Sequence, residues 1–309
     1  MMDWIIGIDG GGTKTTGIAA DSCGNIFGRT EQGPSNYHIT GVAEFKNVVV
    51  SIVNELATIC YLPLSDLKVI SLGVAGADRQ QDRDIISIAL AELNLGCHFI
   101  INSDAQAALM AGLGKDGGIV LIAGTGSIAY GVNNKTGEMF RAGGWGHVVS
   151  DEGSGYAIGR QALIRSIKGA EGRGKSTALL PLILAHFNLQ NWDELIGFVN
   201  NHMTTKDEIA SLARIVGKAA MAGDSVASEI LLDAGDDLAG LVESVISRGF
   251  QPGEQVKVCL FGSIVNNLEI IRNRIKKALA GKATFVACEK EAAVGAMLTG
   301  LDWMKKKER

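Results

Sequence analysis

Residues 4–20, WIIGIDGGGTKTTGIAA, set two apolar runs around a glycine-rich centre. Trp4–Ile8 is a short block of large apolar side chains and reads as a buried strand. Thr15–Ala20 reads as a second strand. Between them, Asp9-Gly10-Gly11-Gly12-Thr13-Lys14 is a turn, because glycine supplies the positive φ and the close backbone approach that a tight corner demands. Asp21–Asn25 is another turn signal, and Ile26–Thr30 a third strand. Three short strands with such corners form an antiparallel meander.

Beyond the meander the period changes. Residues 41–60 place Val42, Phe45, Val49, Ile52, Val53 and Leu56 at helical spacing. Val69–Val74 reads as a strand, 79–94 as a helix with a polar face, His98–Ile101 as a strand and 104–112 as an alanine-rich helix. This β-α-β-α order predicts that the meander's sheet is extended by parallel strands. The opening pattern then returns about 115 residues later. Ile119–Ala123 is a strand, Gly124-Thr125-Gly126-Ser127 a tight turn, Ile128–Val132 a second strand, Asn133–Gly137 a turn and Glu138–Ala142 a third strand. Helices are expected at 155–168, 176–187, 192–201, 206–222 and 224–248, a strand at Val256–Phe261, a turn and helix from Gly262, and a last helix over 289–304. The repetition predicts a duplicated α/β chain. Its N-terminal domain would span 1–113 and its C-terminal domain 114–288, with a closing helix over 289–309 returning to the first domain.

The bulk numbers narrow the function. The 309 residues are 47% apolar and 20% charged, enough to fill a sizeable core. A net charge of −4 disfavours a general nucleic-acid binder, which is basic. Five cysteines with no C-x-x-C spacing disfavour a disulfide framework or a cysteine-rich metal site, and suit a reduced cytoplasm. The start, Met1-Met2-Asp3-Trp4, lacks the basic region of a signal peptide. No 18-residue uncharged apolar run predicts a membrane span. Lys305–Arg309, KKKER, reads as a solvated tail. Glycine, at 40 residues, is about 13% of the chain against a usual ~7%. It gathers at 7–17, 112–131 and 143–159.

Residues 169–176, GAEGRGKS, fit the phosphate-loop pattern G-x-x-x-x-G-K-[ST]. Such a loop must follow a strand, so that its amides and the next helix converge on phosphate. Here Ile158, Ala162, Leu163 and Ile167 lie on a helical stripe before it. The stretch therefore reads as a basic loop between two helices, with Ser176 or Thr177 capping the second. Gly124-x-Gly126-x-x-Ala129 formally fits a dinucleotide fingerprint, but that turn must open a helix, and Ile128–Val132 is strand-like. The stronger candidates for anion binding are the two hairpin turns themselves. Gly11, Gly12, Thr13 and Lys14 offer unhindered amides, a hydroxyl and an ammonium, and Gly124, Thr125 and Gly126 form the matching turn. Asp9 ends a buried strand and is placed to hold Mg²⁺ through water. Asp104 sits where a strand gives way to a helix. It reads equally as a proton acceptor facing an interdomain cleft and as a helix N-cap.

In order, DGGGTKT (9–15), LIAGTGS (121–127) and CLFGSIVNN (259–267) resemble the two phosphate motifs and the adenosine motif of the actin-like ATPase fold shared by sugar kinases and actin. GGWGHVVSDEGS (143–154) is similar to the signature of the N-acetylglucosamine kinase branch of the BadF/BadG/BcrA/BcrD ATPase family. The one departure in it is Ser150, where that family carries glycine. The resemblance runs from residue 4 to about 300. It implies an α/β, two-lobed actin-like (ribonuclease H-like) fold of duplicated mixed-sheet domains around an interdomain cleft. It implies an ATP- and Mg²⁺-dependent kinase acting on the 6-hydroxyl of an amino sugar, working as a cytoplasmic homodimer with no nucleic-acid or membrane partner.

Carried over position by position, the resemblance makes Asp104 the catalytic base, with Asp9 and Asp104 holding magnesium through water. Thr13 and Thr125 become phosphate contacts, and Gly262 and Ser263 the adenosine contact. Asn36, Asp151 and the loop Gly144-Trp145-Gly146 fall at sugar contacts, with Ala75 and Gly76 in a loop beside the sugar. Taken singly, Asn36 also reads as a turn residue, Trp145 as core packing, Asp151 as a cap of the helix near Gly155, and His147 as a structural residue of its loop. Among substrates, N-acetylglucosamine, glucosamine and N-acetylmuramic acid stay open. The alternative class is an activator ATPase of a 2-hydroxyacyl-CoA dehydratase, whose iron–sulfur cluster needs cysteines beside glycine-rich turns.

Overall fold

The computed structural model describes residues 3–307, and the end of the KKKER stretch at 308–309 lies outside them. Two compact units emerge: one runs to Gly117 and resumes at Ala287, the other is Gly118–Val286.

In the first unit the meander is β1 (Trp4–Gly10), β2 (Thr15–Asp21) and β3 (Ile26–Gln32), all antiparallel neighbours. Helix α1 (Tyr37–Ile59) follows, broken at Gly41, where φ is 83°. It begins earlier than helical spacing predicts because Asn36 caps it, accepting the His38 amide at 3.1 Å. Then come β4 (Leu67–Val74), α2 (Gln80–Ala91), β5 (His98–Ser103) and α3 (Asp104–Leu113). β4 pairs parallel to β1 and β5 parallel to β4, giving the order β3-β2-β1-β4-β5. Alternation along β1 sends Trp4, Ile6 and Ile8 to a core shared with Phe45, Val49 and Ile52 of α1.

The second unit repeats the plan. β6 (Gly118–Ala123), β7 (Ser127–Val132) and β8 (Met139–Gly143) are the meander. Five helices follow: α4 (Gly155–Ala170), α5 (Leu179–Phe187), α6 (Glu194–Val199), α7 (Lys206–Met221) and α8 (Ser225–Gly249). The unit ends with β9 (Val256–Phe261), α9 (Ser263–Asn267), α10 (Glu269–Ala278) and β10 (Ala283–Val286). β9 pairs parallel to β6 and β10 parallel to β9, so the order β10-β9-β6-β7-β8 matches the first sheet strand for strand. The duplicated mixed-sheet α/β fold class expected from the sequence is present. The four-residue β10 was not foreseen. Helix α5 also starts later than expected. Asp224 takes the amide of Ala178 at 2.7 Å and the Thr177 hydroxyl at 2.8 Å, which holds 177–178 outside the helix, and Thr177 Oγ1 accepts the Leu179 amide at 3.2 Å.

The last helix, α11 (Ala292–Lys307), belongs to the first unit. Its Ala293, Met297, Leu301 and Met304 cover Ile5, Ile18, Ala20 and Val69 on the sheet face opposite α1. It also packs on α3, and there Gly295 is required: a Cβ would overlap the Ala107 carbonyl oxygen. Among the described residues no helix is long and apolar enough to cross a membrane.

Candidate active site

In the first unit, three loops are tied at the C-terminal ends of β1 and β4. The 9–15 hairpin closes on itself through the Gly11 amide and Lys14 carbonyl at 3.0 Å. The Gly11 carbonyl accepts the amides of Ser35 and Asn36 at 3.1 and 3.2 Å, and the Gly10 carbonyl accepts that of Ala75 at 2.8 Å. Thr15 Oγ1 donates to the Gly33 carbonyl at 2.7 Å and lies 2.8 Å from Ser35 Oγ. Backbone bonds thus fix Asn36, Ala75 and Gly76 relative to the hairpin, whose Gly12 and Thr13 are exposed at its tip. Lys14 is also exposed, its ammonium 2.7 Å from Glu31. Gly76 has φ 89°, and a Cβ there would meet His38 Cδ2 at 2.8 Å and Asn36 Oδ1 at 3.2 Å. Arg83 clamps the far side of this loop, donating to the carbonyls of Ala77 and Asp78 at 2.9 and 2.7 Å.

Asp104 opens α3 but does not cap it. Ser103 is the N-cap: its hydroxyl accepts the Gln106 amide at 3.3 Å, and Gln106 Oε1 accepts the Ser103 amide at 3.0 Å. The capping alternative for Asp104 is thereby removed. Its Oδ1 accepts the Ala105 amide at 2.9 Å, while burial and then the Asp78 charge push its pKa up to about 6. Asp9 is pushed up to about 7, by burial first and then by the charges of Asp104 and Glu291, against a lowering pull from Lys14.

In the second unit, the 124–127 turn rests on the start of α4: the Gly155 amide donates to the Gly124 carbonyl at 2.8 Å and the Tyr156 amide to that of Thr125 at 3.3 Å. The 144–146 loop hangs from the same turn, through the Gly144 amide and Ser127 carbonyl at 2.9 Å. Trp145 is 67% exposed, with the Arg141 guanidinium 4.0 Å from its ring centroid, so it is not a core residue. His147 packs edge-on against Tyr156 within its own unit. Asp151 does not cap α4, since Ser154 does. Asp151 is 3% exposed with φ at 69°, and both its oxygens are engaged: Oδ1 accepts the Ser127 amide at 3.1 Å and Oδ2 pairs with Lys206 at 2.6 Å. Gly262, at φ 100°, turns from β9 into α9, and a Cβ there would overlap the Ala123 carbonyl. A cavity of about 320 Å³ is lined by Gly124, Thr125, Asp207, Arg214, Ser263 and Asn267.

A family model described as the BadF/BadG/BcrA/BcrD ATPase family matches residues 6–300. The chain belongs to that ATPase family. A Clostridium acetobutylicum protein named N-acetylmuramic acid/N-acetylglucosamine kinase is 35% identical over 96% of this chain and 98% of its own length. The N-acetyl-D-glucosamine kinase of Dictyostelium discoideum is 33% identical over 89% of each chain. A solved structure from Chromobacterium violaceum, provisionally named an N-acetylglucosamine kinase, aligns with a TM-score of 0.81, 26% identity, and coverage of 97% of this chain and 99% of the other.

Within this BadF/BadG/BcrA/BcrD ATPase, the first unit groups Asp9, the 11–14 turn, Asn36, Ala75, Gly76 and Asp104. The second groups Gly124, Thr125, Gly126, Gly144–Gly146, Asp151, Gly262 and Ser263. Asp207, Arg214 and Asn267 of the cavity escaped the sequence reading. The capping box at Thr205–Glu208 is legible as a helix start, but the bond from its Asp207 to Thr125 spans 82 positions and leaves no local signal. GAEGRGKS begins with the last two residues of α4 and runs out of its end, with Arg173 on Glu171 and Lys175 2.5 Å from Glu229. No strand delivers it.

Proposed function

We propose that the protein transfers the γ-phosphoryl group of ATP to the 6-hydroxyl of an amino sugar, with N-acetylglucosamine the first candidate and glucosamine or N-acetylmuramic acid the alternatives. The observation that carries this reading is Asp104. It is a half-buried carboxylate with no capping duty, in a chain 35% identical to an N-acetylmuramic acid/N-acetylglucosamine kinase.

Phosphoryl transfer asks for positioning, charge neutralisation and an acceptor for the hydroxyl proton. A base works best with its pKa near the operating pH, and burial moves Asp104 toward that range, to about 6. Asn36 and the 75–76 loop orient the sugar, and Trp145 offers an exposed ring for its apolar face. The amides of Gly12 and Thr13 and of Thr125 and Gly126, outside the bonds that close the two turns, receive the phosphates, and the cavity containing Ser263 receives the nucleoside. Asp9 and Asp104 fit a magnesium ion, since burial and mutual repulsion already favour a positive partner beside them. They would hold it through water, and when bound it neutralises charge on the transferring phosphoryl oxygens. The family's ATPase character and the cysteine usage support an enzyme at work in a reduced cytoplasm, and the family resemblance supports a homodimer.

A coupled assay with Mg·ATP across the three sugars tests the proposal. ADP release stoichiometric with a 6-phosphate product is expected for at least one. ATP turnover indifferent to all three would sink it.

A further inference from the structure

Helix α7 opens with Lys206 and Asp207, behind a Thr205–Glu208 capping box that fixes the backbone of its first turn. These neighbours grip one turn at two points. Asp207 Oδ1 accepts the Thr125 hydroxyl at 2.7 Å. Lys206 Nζ lies 2.6 Å from Oδ2 of buried Asp151, whose Oδ1 accepts the Ser127 amide at 3.1 Å. The carboxylate also sits against Gly126, where a Cβ would be 2.9 Å from its Oδ1. Asp151 has a left-handed backbone, a conformation that persists in a non-glycine residue only where its surroundings hold it. Its ion pair with Lys206 is one such hold. Thr125 and Asp207 both line the 320 Å³ cavity.

We infer that Lys206 and Asp207 are positioning residues for the 124–127 turn. Asp207 sets the Thr125 side chain, and Lys206 holds Asp151 against the Ser127 amide. The Thr125 and Gly126 amides, between the committed amides of Gly124 and Ser127, are then presented in one arrangement before nucleotide arrives, which removes an ordering cost from binding. Because the Thr125 hydroxyl proton is committed to Asp207, Thr125 meets phosphate through its backbone N–H.

This rests on the second unit's being the nucleotide-binding one, so the test reads ATP binding without sugar turnover. Calorimetric titration of Mg·ATP into the full-length protein is compared for wild type, Asp207→Ala, Asp207→Asn, Thr125→Val and the Asp207→Ala/Thr125→Val double variant. Asp207→Ala is expected to weaken binding 5- to 20-fold. Asp207→Asn, which keeps an acceptor for Thr125, should stay within about twofold of wild type. The double variant should be no weaker than the weaker single one. In steady state, Asp207→Ala and Lys206→Met should each raise the KM for ATP, Asp207→Ala with the sugar KM unchanged. Equal affinity of Asp207→Ala and wild type overturns the inference, as does additivity in the double variant. Tighter binding by both Asp207 variants also overturns it, because the carboxylate would then act only as a repelling charge. Wild type that binds no ATP overturns both this inference and the proposed function.

Discussion

By residue type and place Asp104 suits both a helix cap and a candidate base, and the Ser103–Gln106 box takes the capping role from it. That box is itself a legible S-x-x-Q spacing at 103–106, so this alternative was resolvable from sequence. The engagement of Asp151 with Lys206 was not, since it joins positions 55 apart. Asp104→Asn is expected to lower kcat by about 10²- to 10⁴-fold while the affinity for ATP changes less than about threefold, measured by titration. Stability should move the other way. A carboxyl whose pKa rises on folding binds more protons in the native than in the unfolded state, so stability falls as pH rises from about 4 through about 6. In metal-free protein, Asp104→Asn should therefore melt higher than wild type at pH 8, by an amount on the order of 1–2 kcal/mol, with the gap closing by pH 4. Equal melting at both pH values would show that burial costs Asp104 nothing. Trp145→Ala, at an exposed site, should leave the melting temperature within about 1–2 °C and raise the sugar KM several-fold.

Local physics made the hairpins readable. Glycine-rich corners between short apolar runs have few other uses, and both meanders lie where their sequences put them. The parallel strands depended on context. Strand β10 has four residues and little alternation, so only the duplication argument, carried through to a fifth strand, would have found it. The GAEGRGKS segment teaches the converse, since its letters are specific but its setting after α4 is wrong for a phosphate loop. Lys175 instead meets Glu229 on the surface, a pair of a kind worth about 0–1 kcal/mol. Lys175→Ala should accordingly leave ATP affinity within about twofold and melting nearly unchanged. A loss of nucleotide binding in that variant would restore the phosphate-loop reading.

At the scale of the molecule, one sheet plan occurs twice, and each copy carries one glycine turn and its own set of candidate site residues. The copies differ in how they are completed. The second is continuous in sequence, whereas the first draws its last helix from the far end of the chain. Each of Met297, Leu301 and Met304 contributes about 1.5–3 kcal/mol by its burial. A chain ending at Val286 should thus lose the first unit's cooperative unfolding transition by calorimetry and bind an apolar dye, and a truncated chain that melts like the whole would contradict the role assigned to α11. The same arrangement has a consequence during translation. When the ribosome has finished β5 and α3, Ile5, Ile18 and Val69 still await their cover, and roughly 190 residues must be polymerised before α11 exists. At about 5–20 residues per second that wait lasts about 10–40 s, a window in which this apolar sheet face stays open to solvent for longer than it would in a protein whose first domain is contiguous in sequence.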